Sequence, residues 1–138
     1  MQFAISRNLP VVLCGDLNST PSSAVYSFLA SQQVDISHPD VADAHGILPD
    51  ARGITHTLPL DSAYRAISGS EPAYTNYTDA FKGVLDYIWF DTDNVRPVSV
   101  SQMLAVSDIE KDGTALPNAQ WGSDHVMMIS DLQIIGNR

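Results

Sequence analysis

The feature that most constrains this chain is the run Val11-Val12-Leu13-Cys14, entered through Pro10 and broken at once by Gly15-Asp16-Leu17-Asn18. Consecutive apolar residues, two of them β-branched, predict a strand buried on both faces. Polar residues at its C-terminal end stand where sheet-based α/β proteins commonly place their chemistry. In extended chain, Asp16 and Asn18 point the same way. A carboxylate there takes a proton or holds a cation, and an amide orients a water or a phosphate oxygen. The alternative at this point is a turn in which Asp16 and Asn18 only cap backbone groups.

The chain has 138 residues, 44% of them hydrophobic and 17% charged, which suits one folded domain with one core. No run approaches the length of a membrane span. Residues 1–7 lack a basic leader ahead of an apolar stretch, so no secretory signal is expected. The single cysteine, Cys14, lies inside the apolar run and is expected to be a small buried hydrophobe. The net charge of -9 has the wrong sign for gripping nucleic acid through its phosphates. It is an acceptable sign for a site that collects a divalent cation.

Residues 1–8 read as the last turns of a helix ending near Asn8. Ser19-Thr20-Pro21 signals a helix start, and Val25, Phe28 and Leu29 continue at helical spacing, so a helix is expected over 21–32. Residues 34–54, with Pro39, Gly46, Pro49 and Gly53, read as a long loop holding a short strand or turn. His38 and His45 fall there without metal-ligand spacing and read as loop histidines. Residues 55–58 look like the edge of regular structure, 60–67 like a short helical turn or strand, and 74–78 are rich in strand formers. Val84–Phe90 reads as a strand interrupted by Asp86, followed by a turn over 91–94 and a strand within 95–104. Residues 107–118 read as loop, and a last buried strand is expected after Asp124-His125. The sum is about five to seven strands with one clear helix, an α/β layer pair.

Three polar clusters interrupt apolar sequence at strand ends: Asp16 with Asn18, Asp86, and Asp124 with His125. Asp86 alone reads equally as a buried carboxylate satisfied by amides, and His125 alone as a packed histidine. Brought to one end of a sheet, the five would make a phosphodiester-cleaving site. Carboxylates hold a hard cation that polarises the phosphate, and Asp16 with Asn18 orients and deprotonates a water. His125 donates to a non-bridging oxygen, with Asp86 orienting its other ring nitrogen.

The order Gly15-Asp16-Leu17-Asn18, Leu85-Asp86-Tyr87-Ile88, Ser123-Asp124-His125 resembles the endonuclease/exonuclease/phosphatase superfamily. Within it, the chain resembles the carbon catabolite repressor-type deadenylases, which degrade poly(A). Further segments carry the likeness: Asn18-Ser19 with Pro21 and Ser23-Ala24, Val34-Asp35 with His38-Pro39-Asp40, and Thr55-His56 with Leu58-Pro59-Leu60. Ser62-Ala63-Tyr64, Tyr74-Thr75-Asn76 through Phe81-Lys82-Gly83, and Ala115-Leu116-Pro117-Asn118 complete it. The resemblance implies part, about half, of a two-sheet α/β sandwich, with residues 1–138 as the C-terminal half of one nuclease domain and the N-terminal half absent.

The resemblance also implies a Mg²⁺-dependent 3′-to-5′ poly(A) exoribonuclease releasing 5′-AMP, with Mn²⁺ as the alternative ion. Asp16 and Asn18 would activate and place the nucleophile, Asp86 would support the histidine, and Asp124 with Asp16 would bind the metal. His125 would contact the scissile phosphate, and Asn76 and Phe81 would recognise adenine. Stacking on Phe81 needs little positive surface, which reconciles RNA binding with the acidic charge. The implied partners are single-stranded poly(A) RNA, deadenylase-complex proteins and the other half of the domain, in the cytoplasm and also the nucleus, with no membrane. The family's metal-binding Glu lies before the position of Asp16, where this sequence has no acidic residue, so the fragment alone is expected to be inactive. Two other readings remain: another superfamily phosphodiesterase, such as an abasic-site nuclease, which homopolymer comparison separates, and a non-catalytic interaction module, which would bind no Mg²⁺.

Overall fold

Val12–Asp16 forms a strand, β1, at one edge of a three-stranded antiparallel sheet in the computed structural model, which describes residues 9–42 and 53–135. Its partner is β7 (Asp86–Asp91), which in turn pairs with β4 (Leu60–Ser62). The register sets Asp16 opposite Asp86 and Cys14 opposite Ile88. The expected burial of β1 on both faces does not hold. Leu13 packs into the core, but Val12, on the other face, is 45% exposed, and Cys14 is exposed rather than buried. Apolar content makes the strand; how many faces are covered depends on what lies above each, and among the described residues only one face of β1 meets a core.

That covering element is helix α1 (Ala24–Ser31). It begins later than its sequence signal suggests: Thr20 accepts from Ser23 N–H at 2.9 Å in a turn, and Ser23 Oγ caps Tyr26 N–H at 3.2 Å. Asp40 Oδ2 satisfies a further free donor, Ala24 N–H, at 2.9 Å. Tyr26, not the expected Val25, faces inward, its ring centroid 5.4 Å from Tyr87 and 5.1 Å from Trp89, while Val25 is exposed. Leu29, Leu58, Leu60 and Val84 complete this core.

Within the expected long loop, β2 (Gln33–Val34) pairs with β3 (Ile54–Thr55), and Pro39–Ala42 forms the short helix α2. His38 is a loop histidine whose Nδ1 accepts from Asp40 N–H. The helix expected over 1–8 and His45 lie outside the described residues. Residues 60–67 are both things expected of them, β4 followed by α3 (Ala63–Ser68), which ends on Gly69 at φ 82°. A hairpin of β5 (Asn76–Tyr77) and β6 (Lys82–Gly83) follows, then β7 and the turn at 91–94, where Asp91 accepts from Asp93 N–H and Asn94 Nδ2. β8 (Val95–Val100) pairs with β9 (Ser130–Ile134).

Two further expectations are corrected. The loop expected at 107–118 contains α4 (Val106–Ile109) and a 3₁₀ turn (Glu110–Asp112), because Ile109 is driven into a second core with Tyr74, Tyr77 and Leu116. The last strand begins at Ser130 rather than directly after His125, and it is not buried: Ile134 is 69% exposed, and Met127 in the segment leading to it 74%. Pairing only with β8, it leaves alternate side chains uncovered. The several small sheets with short helices make a partial α/β sandwich.

Candidate active site

Antiparallel pairing of β1 with β7 brings two carboxylates face to face, Asp16 opposite Asp86. Like charges directly across a sheet repel, so the pair requires a cation or a hydrogen-bond donor between its members. His125 supplies one. Its Nδ1 lies 2.7 Å from Asp86 Oδ2, and its Nε2 lies 3.9 Å from Asp16 Oδ2. The loop bearing His125 is zipped to the β5 region. Asn76 and His125 form an antiparallel bridge, Tyr77 N–H donates to Asp124 O at 3.0 Å, and Val126 N–H to Thr75 O at 2.7 Å.

Asp86 is held from behind. Thr75, fully buried, accepts from both Leu85 N–H and Asp86 N–H through its Oγ1 at 2.9 and 3.0 Å. Thr75 is the positioning residue that sequence reasoning missed. A threonine beside a strand carries no signal of its own, and its role emerges only from hydrogen bonds to residues ten and eleven positions away.

Asn18 departs from expectation. The chain leaves the strand at Leu17, Asn18 adopts φ 47°, and Asp16 Oδ1 accepts its backbone N–H at 2.7 Å. The turn alternative therefore describes the backbone, and the argument from alternation in extended chain does not apply to Asn18. Asp16 keeps Oδ2 toward His125 all the same, and Asn18, two residues on, is exposed.

Asp124 lies next to the pair, its Oδ2 accepting from Asn76 Nδ2 at 3.1 Å. Asn76 is buried at 5% exposure behind Asp124. Phe81, 37% exposed, stands at the tip of the β5–β6 hairpin, held by paired hydrogen bonds with Thr78 Oγ1 and resting over Gly83. The structure thus gathers Asp16, Asp86 and His125, sets Asp124 next to His125 with Asn76 bonded behind it, and places Phe81 at the tip of the hairpin whose β5 strand carries Asn76.

Partial burial disfavours imidazolium at His125. The Asp86 hydrogen bond and the charges of Asp86, Asp124 and Asp16 outweigh it, raising the pKa above the ordinary histidine range. With Asp86 accepting from Nδ1, the ring points Nε2 outward. Asp16, Asp86 and His125 each offer a donor atom within 4.8 Å of the others. Within that set, Asp86 and His125 are engaged with each other, leaving Asp16 as the more accessible carboxylate, 47% exposed at its side chain. Oxygen donors of this kind fit a hard ion such as Mg²⁺, which one or two carboxylates hold with several waters. Beside the cluster is a cavity of about 500 Å³, lined by Cys14, Ile88, Ser123 and Met127 as well as Asp86 and His125.

The sequence pattern described as the Endonuclease/Exonuclease/phosphatase family matches residues 1–125. The chain belongs to this family.

Among curated family relatives, it is 36% identical over 151 residues to carbon catabolite repressor protein 4 homolog 1 of Arabidopsis thaliana, covering 96% of this chain and 25% of that protein. It is 37% identical over 143 residues to the CCR4-Not complex 3′-5′-exoribonuclease subunit Ccr4 of Aspergillus fumigatus, covering 100% of this chain and 19% of the relative. Among solved structures, it superposes on ANGEL2, a 2′,3′-cyclic phosphatase, with a TM-score of 0.70 at 21% identity over 89% of this chain and 44% of that one. The human Nocturnin catalytic domain gives a TM-score of 0.60 at 25% identity, over 96% of this chain and 36% of that one. These likenesses establish the family fold, and the chain spans less than half of each of these proteins.

Proposed function

We propose that this chain is the C-terminal half of the catalytic domain of a Mg²⁺-dependent 3′-to-5′ exoribonuclease that removes poly(A) and releases 5′-AMP. The carrying observation is the His125 imidazole held between Asp86 and Asp16, with Nδ1 fixed by a 2.7 Å bond and Nε2 free to meet a phosphate. Relatives named as Ccr4 exoribonucleases, matching the whole length of the chain, support the substrate class.

His125 donates from Nε2 to a non-bridging phosphate oxygen, a contact that strengthens as negative charge builds there. Asp86 keeps Nδ1 protonated and the ring oriented, and Thr75 keeps Asp86 in place. Asp16 accepts a proton from the attacking water, and the Asn18 amide orients that water. The water oxygen bonds to phosphorus as the bond to the 3′ oxygen of the penultimate nucleotide breaks; that oxygen takes a proton from solvent, and 5′-AMP and the RNA shortened by one nucleotide leave. A bound Mg²⁺ would neutralise phosphate charge and polarise the phosphate; Asp16 and Asp124 are the residues that would hold it. Phe81 stacks on a base, while Asn76, expected to recognise adenine with it, is buried with its Nδ2 donated to Asp124 Oδ2 and in this proposal steadies that carboxylate. Association with a CCR4-Not type complex, in cytoplasm and nucleus, belongs to the same proposal.

The test is AMP release from poly(A) by the full-length protein that carries this chain, with Mg²⁺ or with a chelator. Asp16→Ala and His125→Ala are expected to lose at least 100-fold in kcat, of the size seen for general acid–base and electrostatic groups. Adenosine homopolymer should outcompete other homopolymers. Variants with parental rates would refute the catalytic assignment, and preferential cleavage of a 2′,3′-cyclic phosphate end would move the chain to a different activity in its family.

A further inference from the structure

The loop leading into Ser123-Asp124-His125 carries a tryptophan that the proposed chemistry does not use. Trp121 is 42% exposed. Its backbone is nevertheless fixed, because Asn118 Oδ1 accepts from Gln120 N–H and Trp121 N–H, both at 3.0 Å, and Asn118 N–H donates to Trp121 O at 2.8 Å. Asn118 Nδ2 ties this turn to Ile109 O at 2.9 Å, and Ile109 is fully buried. The indole is therefore presented by an anchored turn.

Trp121 lines a second cavity of about 390 Å³, whose walls are largely apolar, including Leu104, Leu116 and Val126. Ser123, His125, Val126 and Met127 line both this cavity and the one beside Asp86, so the two adjoin along the segment that carries His125. A phosphate contacting His125 Nε2 has a nucleoside on each side, and the second cavity, which His125 also lines, offers one of them an apolar floor with an indole at its wall. Such a surface suits a flat, unpaired nucleobase, since single-stranded nucleic acids are bound by stacking on aromatic side chains. The chain's net charge of -9 argues the same way, because affinity here cannot come chiefly from phosphate pairing. Phe81 lines neither cavity, so it is left for a different base.

We propose that Trp121 and the cavity beside His125 form a base-stacking subsite for the nucleotide adjoining the phosphate that His125 contacts in a single-stranded substrate. This rests on the phosphodiesterase reading of the His125 site. Stacking is tolerant of base identity, so Trp121 contributes affinity and register, while selection among bases falls to other groups.

The experiment compares parent, Trp121→Ala and Trp121→Phe in the full-length protein, using an adenosine oligonucleotide and the same oligonucleotide made abasic on one side or the other of the cleaved bond. Trp121→Ala should raise KM about tenfold on the intact oligonucleotide, within the range stacking supports, and Trp121→Phe should recover most of it. The difference between parent and Trp121→Ala should vanish on one of the two abasic substrates. Equal losses on all substrates, or no loss on the intact one, would overturn the subsite. A second measurement is independent of turnover: in His125→Ala protein, the oligonucleotide should quench a tryptophan signal that is absent from His125→Ala/Trp121→Phe. Trp89 is fully buried and the chain has 2 tryptophans, so within it the difference reports Trp121. Identical quenching in both proteins would refute the proposal. Retained turnover in His125→Ala would refute the catalytic reading instead.

Discussion

The imidazole of His125 takes its orientation from Asp86 and its raised pKa from three neighbouring aspartates. Two consequences are measurable at single residues. In metal-free protein, Asp86→Asn should lower the His125 titration midpoint followed by NMR, because it removes both the accepting carboxylate and a negative charge. The linkage has a definite sign. A histidine whose folded pKa is raised adds stability that is fully present below its unfolded value of about 6.5 and is lost as pH rises through the folded value. Parent protein should therefore lose stability over that window, and Asp86→Asn should lose less; an unchanged midpoint would mean the Asp86 bond is not what holds the ring. Behind Asp86, Thr75→Val keeps the volume but deprives two buried N–H groups of their acceptor, Thr75 being 0% exposed. We expect about 1–3 kcal/mol of destabilisation in denaturant titrations and a fall in kcat of about tenfold or more as Asp86 shifts. Thr75→Ser, which retains the hydroxyl, should recover most of the kcat.

At the scale of elements, the β5–β6 hairpin shows how backbone placement sets an exposed aromatic side chain. A Cβ at Gly83 would stand 2.7 Å from Phe81 Cζ, nearer than real atoms approach, and the clash is with the far end of a rotatable ring. Gly83→Ala should therefore move the Phe81 ring rather than unfold the hairpin. If Phe81 stacks on a base, KM for RNA should rise toward that of Phe81→Ala with Tm shifted by no more than a few degrees; an unchanged KM in both variants would remove Phe81 from the binding surface. The same hairpin marks the border of what can be read from sequence. β7 was legible because one carboxylate in Val84–Phe90 breaks a strand-forming run and must be satisfied. The α4 turn and the late start of β9 were not legible, because Ile109 is held by a core assembled from residues far away in sequence, and Met127 is exposed despite being apolar. Asp16, Asp86 and His125 could be picked out as polar interruptions at strand ends. Thr75 and Trp121 could not, since a threonine near a strand and a tryptophan in a loop acquire meaning only from the partners the fold brings to them.

For the whole molecule, the decisive property is the side of the β1–β7 sheet away from α1. Val12, Cys14 and Met127 are exposed there or beside the cavity at His125, and Cys14, Ile88 and Met127 form part of that cavity's own wall. Apolar surface of this kind next to a charged cluster leaves Asp16 and His125 open to bulk water, where screening weakens the electrostatic stabilisation that phosphoryl chemistry requires. The proposed half-domain character follows the same line: the chain aligns with 44% of the ANGEL2 structure and 36% of the Nocturnin domain. The 138 residues produced alone should bind a hydrophobic dye such as ANS and release AMP from poly(A) with Mg²⁺ at less than about one hundredth of the full-length rate, since losing even one electrostatic donor costs that much. The full-length protein should show neither the dye signal nor the deficit. Mixing the chain with the remainder of the domain should quench the dye and restore part of the rate together, because one surface serves both. Robust AMP release by the 138 residues alone would show that Asp16, Asp86, Asp124 and His125 make a sufficient site and would end the half-domain proposal, whereas dye binding that persists in the full-length protein would show that the exposed face serves something other than closing the catalytic domain.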